Sequence, residues 1–129
     1  MPTRAITAAD IDATLQENEI VILDFWAEWC GPCRQFGPVF EAASERHADV
    51  VFGKIDTEAE QELAGAFGIR SIPTLMIFRE KVLLYSQPGA LPAAAVEDLL
   101  TKVKALDMAV VHAKVAEQAA EKAVDAPTS

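Results

Sequence analysis

Two cysteines separated by two residues, Cys30 and Cys33 in Trp29-Cys30-Gly31-Pro32-Cys33, are the only thiols in the chain. At that spacing two side chains share one face of a helix and come within reach of a disulfide. The chemistry they offer is thiol–disulfide exchange. Tetrahedral zinc needs four ligands, and no second cysteine pair exists to complete a site; His47 and His112 stand apart and read as surface residues without a role. No metal is expected. A disulfide scaffold in a small secreted chain typically carries about four to eight cysteines, which two cannot supply.

The elements around the pair favour reactivity. Ile20-Val21-Ile22-Leu23-Asp24-Phe25-Trp26-Ala27 is a nearly continuous apolar run rich in β-branched and aromatic residues. Such a run reads as a strand covered on both faces, the centre of an α/β sheet. The cysteines follow directly and open a helix to about His47, in which Phe36, Val39, Phe40 and Ala43 recur at spacings of three and four. Pro38 sits inside that helix and should kink it. The start of a helix carries unpaired N–H groups and a partial positive charge, which favours a thiolate over a thiol. Cys30 sits there and reads as the nucleophile; Cys33, one turn on, reads as the buried resolving thiol.

Elsewhere the pattern alternates. Thr7 to about Asn18 reads as a short helix opened by a capping-box-like Thr7-Ala8-Ala9-Asp10. A strand is expected at Val50–Ile55, a helix around Glu60–Phe67 closed by Gly68, and a strand at Thr74–Phe78 with Val82–Tyr85 as its antiparallel neighbour. Gly89 and Pro92 precede a long helix-forming stretch from Ala93 to about Val124, where Leu99, Val103, Leu106 and Val110 make a stripe. The last residues, Ala126–Ser129, read as a frayed end. This order implies an α/β fold: a central mixed β-sheet flanked by helices, plus an extended C-terminal helix.

Phe25 to Cys33 resembles the signature of the thioredoxin family nearly residue for residue. Pro38 falls where that family kinks its active-site helix, Gly68-Ile69-Arg70-Ser71-Ile72-Pro73-Thr74 looks like its loop before a cis-proline, and Gly89-Ala90 resembles its groove-lining glycine segment. The similarity spans roughly residues 3 to 106, which divides the chain into a thioredoxin domain at 1–106 and a helical extension at 107–129. The resemblance implies that Asp24 is the buried acid beneath Cys33 and that Lys54 accompanies it. A carboxylate in an apolar strand should have a raised pKa, which suits it to accept the Cys33 proton. The resemblance further implies that Pro73 is cis and that Trp29, Gly31, Pro32, Ile72, Pro73, Gly89 and Ala90 form the surface that meets a substrate. Trp26 reads as core packing instead.

The implied reaction is reduction of protein disulfides. Cys30 attacks the substrate, Cys33 resolves the mixed disulfide, and a flavin- and NADPH-dependent thioredoxin reductase restores the pair. No cofactor is bound; the redox group is the Cys30–Cys33 disulfide itself. The Gly31-Pro32 dipeptide resembles that of reducing members. A net charge of −9 argues against nucleic acid, whose affinity comes mainly from Lys and Arg. The longest apolar run is far short of the ~20 residues a bilayer needs, and the N-terminus lacks the apolar stretch of a secretory signal. A cytoplasmic protein is expected, a monomer, with dimerisation through the C-terminal helix as the alternative.

The hairpin Phe78-Arg79-Glu80-Lys81-Val82 lacks the usual Asn-Gly turn, and Pro88 before Gly89 departs from the family pattern. Two other functions compete: a reductant dedicated to one client, with the C-terminal helix restricting access, and a partner-docking or chaperone-like module built on the same fold.

Overall fold

The computed structural model describes residues 2–125, and side chains as far as residue 121; the frayed end expected at Ala126–Ser129 lies outside them. Five strands form one sheet: β1 (Thr3–Ala5), β2 (Ile20–Trp26), β3 (Val51–Asp56), β4 (Thr74–Arg79) and β5 (Val82–Pro88), in the order β1-β3-β2-β4-β5. β1, β3 and β2 run parallel, while β4 and β5 are antiparallel to their neighbours. The apolar run thus occupies the middle of the sheet.

Alternation along β2 assigns its faces. Ile20 and Ile22 pack with Phe36, Phe40 and Ala43 of helix α2 (Gly31–Arg46) and with Val96, Leu100 and Val103 of α4 (Ala93–Ala105). Val21, Leu23 and Phe25 turn the other way, towards Ile11 of α1 (Ile11–Glu17) and Leu63 of α3 (Gln61–Ala66). Asp24 has the parity of Ile20 and Ile22, so the strand directs it to the α2 side.

β1 carries little apolar signal of its own and is absent from the sequence reading. Its place depends on a glycine in another strand: a Cβ on Gly53 would come within 2.6 Å of Ile6 Cγ1. The missing side chain lets Ile6 close over β3, where its N–H donates to the Lys54 carbonyl at 2.8 Å. The Thr7–Asp10 box forms in part, with the Asp10 carboxylate accepting the Thr7 N–H at 2.6 Å.

The C-terminal stretch is two helices, α4 and α5 (Met108–Asp125), rather than one continuous rod. The break at Leu106-Asp107 has two causes. Asp107 Oδ1 accepts the N–H of Ala109 at 3.0 Å and so caps α5. Arg79 Nη1 donates to the carbonyls of Val103 at 2.8 Å and Leu106 at 3.0 Å, closing the end of α4. The hairpin turn is made without glycine or asparagine: Glu80 and Lys81 both adopt left-handed backbone, with φ of 50° and 70°. Its geometry is that of a two-residue turn suited to strand twist, fastened by the Glu80 N–H donating to the Glu19 carbonyl at 2.7 Å.

His47 is a correction to the sequence reading. It is largely buried, its ring stacks on Phe52, its Nε2 lies 2.9 Å from Glu97 and its Nδ1 3.0 Å from Lys104. It ties the end of α2 to α4. His112 is exposed but not idle, with Nε2 3.0 Å from Glu80.

Candidate active site

Cys30 is the N-cap of α2, with Pro32 in the first turn. The backbone N–H of Cys33 points at Cys30 Sγ, 3.2 Å away. One otherwise unpaired donor of the helix start is therefore aimed at this sulfur, in a helix of 16 residues whose dipole adds positive potential at the same end. The two cysteines form a disulfide. Each is only 4% exposed, but their surroundings differ. Cys30 Sγ lies 3.7 Å from the Ile72 carbonyl oxygen, facing the Ser71–Pro73 loop. Cys33 faces inward and lines a cavity shared with Asp24, Trp26 and Lys54.

The cavity has a volume of about 620 Å³ and is half-open to solvent. Asp24 on its wall is 1% exposed, and neither carboxylate oxygen has a hydrogen-bond partner. Burial pushes the Asp24 carboxyl up from 3.8 to about 7, against the opposing pull of the Lys54 charge. Lys54 is the register partner of Asp24 across β2 and β3, and its Nζ stands 5.0 Å from the centre of the Trp26 ring. Asp24, Lys54 and Cys33 are thus brought together as the resemblance implied. Trp26 is cavity wall rather than closed core, and its Nε1 is buried without a partner.

The outer surface also assembles. The Ile72–Pro73 bond is cis, Pro73 is buried, and Ile72 is half-buried beside Cys30. Gly89 adopts φ 111°, a conformation costly for other residues, and its N–H donates to the Pro73 carbonyl at 2.8 Å. That bond joins the end of β5 to the start of β4 and sets Gly89 beside Pro73, with Ala90 next in the chain. Gly31 and Pro32 are exposed at the helix start. Trp29 is 65% exposed, and its Nε1 donates to Glu58 Oε1 at 2.7 Å. Sequence reasoning missed Glu58 and Glu41, the latter another wall residue of the cavity. Glu58 lies on an exposed stretch with no periodic signal, whereas the four-residue spacing of Cys33, Gly37 and Glu41 along α2 could have pointed to Glu41; each is engaged by a partner distant in sequence, Trp29 and Thr3 respectively.

A helix-capped dithiol, a cis-proline beside it and a buried carboxyl beneath it define a thiol–disulfide oxidoreductase. The comparisons agree. The thioredoxin family model matches residues 2–105. The "Putative thioredoxin 2" of Streptomyces coelicolor is 58% identical over 119 residues, 92% of this chain and 89% of that protein. Thioredoxin 1 of Synechococcus elongatus is 38% identical over 104 residues, 76% of this chain and 97% of its own. A single-site mutant of a thioredoxin from Halobacterium salinarum superposes with a TM-score of 0.76 at 31% identity, covering 82% of this chain and 95% of that one.

The chain belongs to the thioredoxin family. It is a thioredoxin-type disulfide reductase, a class that needs no bound cofactor, acts on disulfide-containing substrates and is restored by a reductase partner. An alignment of 119 residues in a 129-residue chain must run through residues 11–119, so it extends over most of the α5 segment. Among the described residues no cluster of three or more metal-ligating side chains occurs, and no helix is long and apolar enough to cross a membrane.

Proposed function

We propose that Cys30 is the attacking thiolate of a general protein disulfide reductase and that Cys33 resolves the mixed disulfide. One observation carries this assignment: the Cys33 N–H at the start of α2 is directed at Cys30 Sγ from 3.2 Å. A donor so placed, with the helix dipole behind it, favours the anion and lowers the thiol pKa. The Cys30 thiolate attacks one sulfur of the substrate disulfide, and the other sulfur leaves. Cys33 gives its proton to Asp24 and attacks Cys30, releasing the second substrate thiol. Two electrons pass from the cysteine pair to the substrate.

Asp24 suits the proton step because its carboxyl, raised to about 7, changes state near neutral pH. Lys54 stabilises its anion and so keeps that value from rising further. An extended substrate segment lies across Ile72, Pro73, Gly89 and Ala90, pairing with the main chain, and Trp29, Gly31 and Pro32 supply apolar contact. NADPH restores the dithiol through a flavoprotein reductase, in the cytoplasm, with the protein acting as a monomer. Residues 1–106 form the catalytic domain and 107–129 an appendage.

Insulin reduction by dithiothreitol tests the activity. Precipitation that depends on Cys30 is expected; its absence, with the fold intact, leaves the docking-module reading standing. The potential of the pair against glutathione tests the direction. A value near the thioredoxin reference of about −270 mV marks a reductant, and one near about −120 mV an oxidant.

A further inference from the structure

Among the described residues, four buried side-chain polar atoms have no hydrogen-bond partner: both Asp24 oxygens, Trp26 Nε1 and Glu41 Oε1. All four belong to residues lining the one cavity behind Cys33. An orphaned buried polar atom is costly, because it gives up its hydrogen bonds to water without replacement. Four of them around a space of this size, partly open to solvent, make a site that water will occupy. Asp24 is only 1% exposed, so its proton reaches bulk solvent through the cavity rather than directly.

We propose, on the reading that Asp24 takes the Cys33 proton, that Glu41 relays that proton between Asp24 and solvent. The other charged groups on the cavity wall are Glu28, Arg34 and Lys54. Arg34 stays protonated, and its Nε is engaged by the Glu28 carbonyl at 3.1 Å. Lys54 is an ammonium with no lone pair to accept a proton, and its Nζ stands over Trp26. Glu28 is exposed on the loop before the helix. Glu41 alone is a carboxylate that combines an unpartnered oxygen with partial burial. Its other oxygen is fixed by Thr3 Oγ1, which donates at 2.7 Å.

Cys33, Gly37 and Glu41 recur every four residues along α2, and all three line the cavity. Gly37 between them contributes no side chain, and a Cβ there would meet nothing within 4 Å. The passage from Cys33 and Asp24 towards Glu41 is thereby left clear. In the resolving step the Cys33 S–H proton goes to Asp24, and the sulfur's electron pair forms the bond to Cys30. The Cys30–substrate bond breaks, and its electron pair leaves on the substrate sulfur. Asp24 hands the proton to Glu41 directly or through a water. Glu41 hands it to solvent, from which the departing thiolate is protonated; reduction of the pair runs the relay backwards.

A mixed disulfide of Cys30 with thionitrobenzoate, formed in acid and jumped to neutral pH, isolates this step through release of the coloured thiol. Glu41→Gln keeps an oxygen for Thr3 yet cannot relay, and should slow release about fivefold in dilute buffer. Added imidazole should restore the rate, and the substitution should have no further effect in an Asp24→Asn background. Gly37→Leu, which fills the passage without altering charge, should slow release and resist the rescue. Thr3→Val, which removes only the tie between β1 and α2, should leave the rate unchanged. A Glu41→Gln protein as fast as the parent, while Asp24→Asn is slow, overturns the relay and spares the acceptor role of Asp24. Loss in Glu41→Gln that imidazole does not repair and Thr3→Val reproduces also overturns it. An Asp24→Asn protein with parental kinetics overturns both readings.

Discussion

The two ends of β2 treat their polar groups in opposite ways. At the end that runs into the cysteines, Asp24, Trp26 and Glu41 hold buried polar atoms without partners around an open cavity. At the end where β2 begins, Arg79 on the paired β4 meets Glu19 through Nε at 3.0 Å and caps α4 through Nη1. Glu80 joins Glu19 through its backbone and His112 through its side chain. The six residue steps from Ile20 to Trp26 separate the ends by roughly 20 Å. One end is satisfied and closed; the other forgoes about 1–3 kcal/mol per orphaned atom and keeps groups whose protonation can change. Near its start α5 is tied to the closed end, where His112 Nε2 lies 3.0 Å from Glu80.

The largest effect that can break this comparison comes from Cys33→Ser. Turnover should vanish while Cys30 still attacks, leaving a stable mixed disulfide that mass spectrometry locates on Cys30. Next is Asp24→Asn in the oxidised protein. The folded state holds the Asp24 proton up to about pH 7, whereas the unfolded chain releases it near 3.8. Between those values the native state binds more protons, so its stability falls as pH rises. The contribution is fully present below the lower value and lost above the upper one. Raising the carboxyl from 3.8 to about 7 corresponds to at most about 4 kcal/mol. Asp24→Asn should therefore raise the urea midpoint at alkaline pH, leave it nearly unchanged in strong acid, and slow disulfide exchange about tenfold or more.

At the closed end the signs reverse. Arg79→Met strands the α4 carbonyls and should cost about 1–3 kcal/mol, with exchange kinetics untouched. Truncation after Leu106 removes the buried Met108 contact and should cost about 1–2 kcal/mol, again with insulin reduction unchanged. A truncated chain with altered client range would tie α5 to the site and dissolve the division between the two ends. The smallest effect is His47→Ala, which loses the stack on Phe52 and the link to Glu97. The His47 hydrogen bond is the main cause holding the Glu97 carboxyl below its usual range. That part of the stability is present at neutral pH and is lost as pH falls through the lowered Glu97 value. Because Glu97 is largely solvated, it should be a fraction of a kcal/mol.

Much of the reactive end is legible in the sequence because its signals are local. An unbroken apolar run needs two covered faces, a Cys-x-x-Cys pair at a helix start needs no distant partner to be recognised, and Gly68 marks a helix end by its left-handed φ of 68°. The closed end depends on contacts that no local pattern announces. Nor does one announce β1 beside the reactive end, whose three residues take their register from Phe52, Gly53 and Lys54. The apolar stripe Leu99, Val103, Leu106 and Val110 continues through the helix break, so periodicity hides what Asp107 and Arg79 impose. Glu80 and Lys81 disfavour the turn they make, and Glu19, far earlier in the chain, helps hold them in it. His47 looks like a loop residue until α4 folds against it.

The central claim is that the start of α2 keeps the Cys30 sulfur anionic under working conditions. Alkylation of the reduced protein by iodoacetamide, followed across pH with the adduct located on Cys30, measures this directly. The rate should reach its plateau well below the free-cysteine value of about 8.5. A rate that instead climbs with free cysteine, with the midpoint unshifted, would contradict the account.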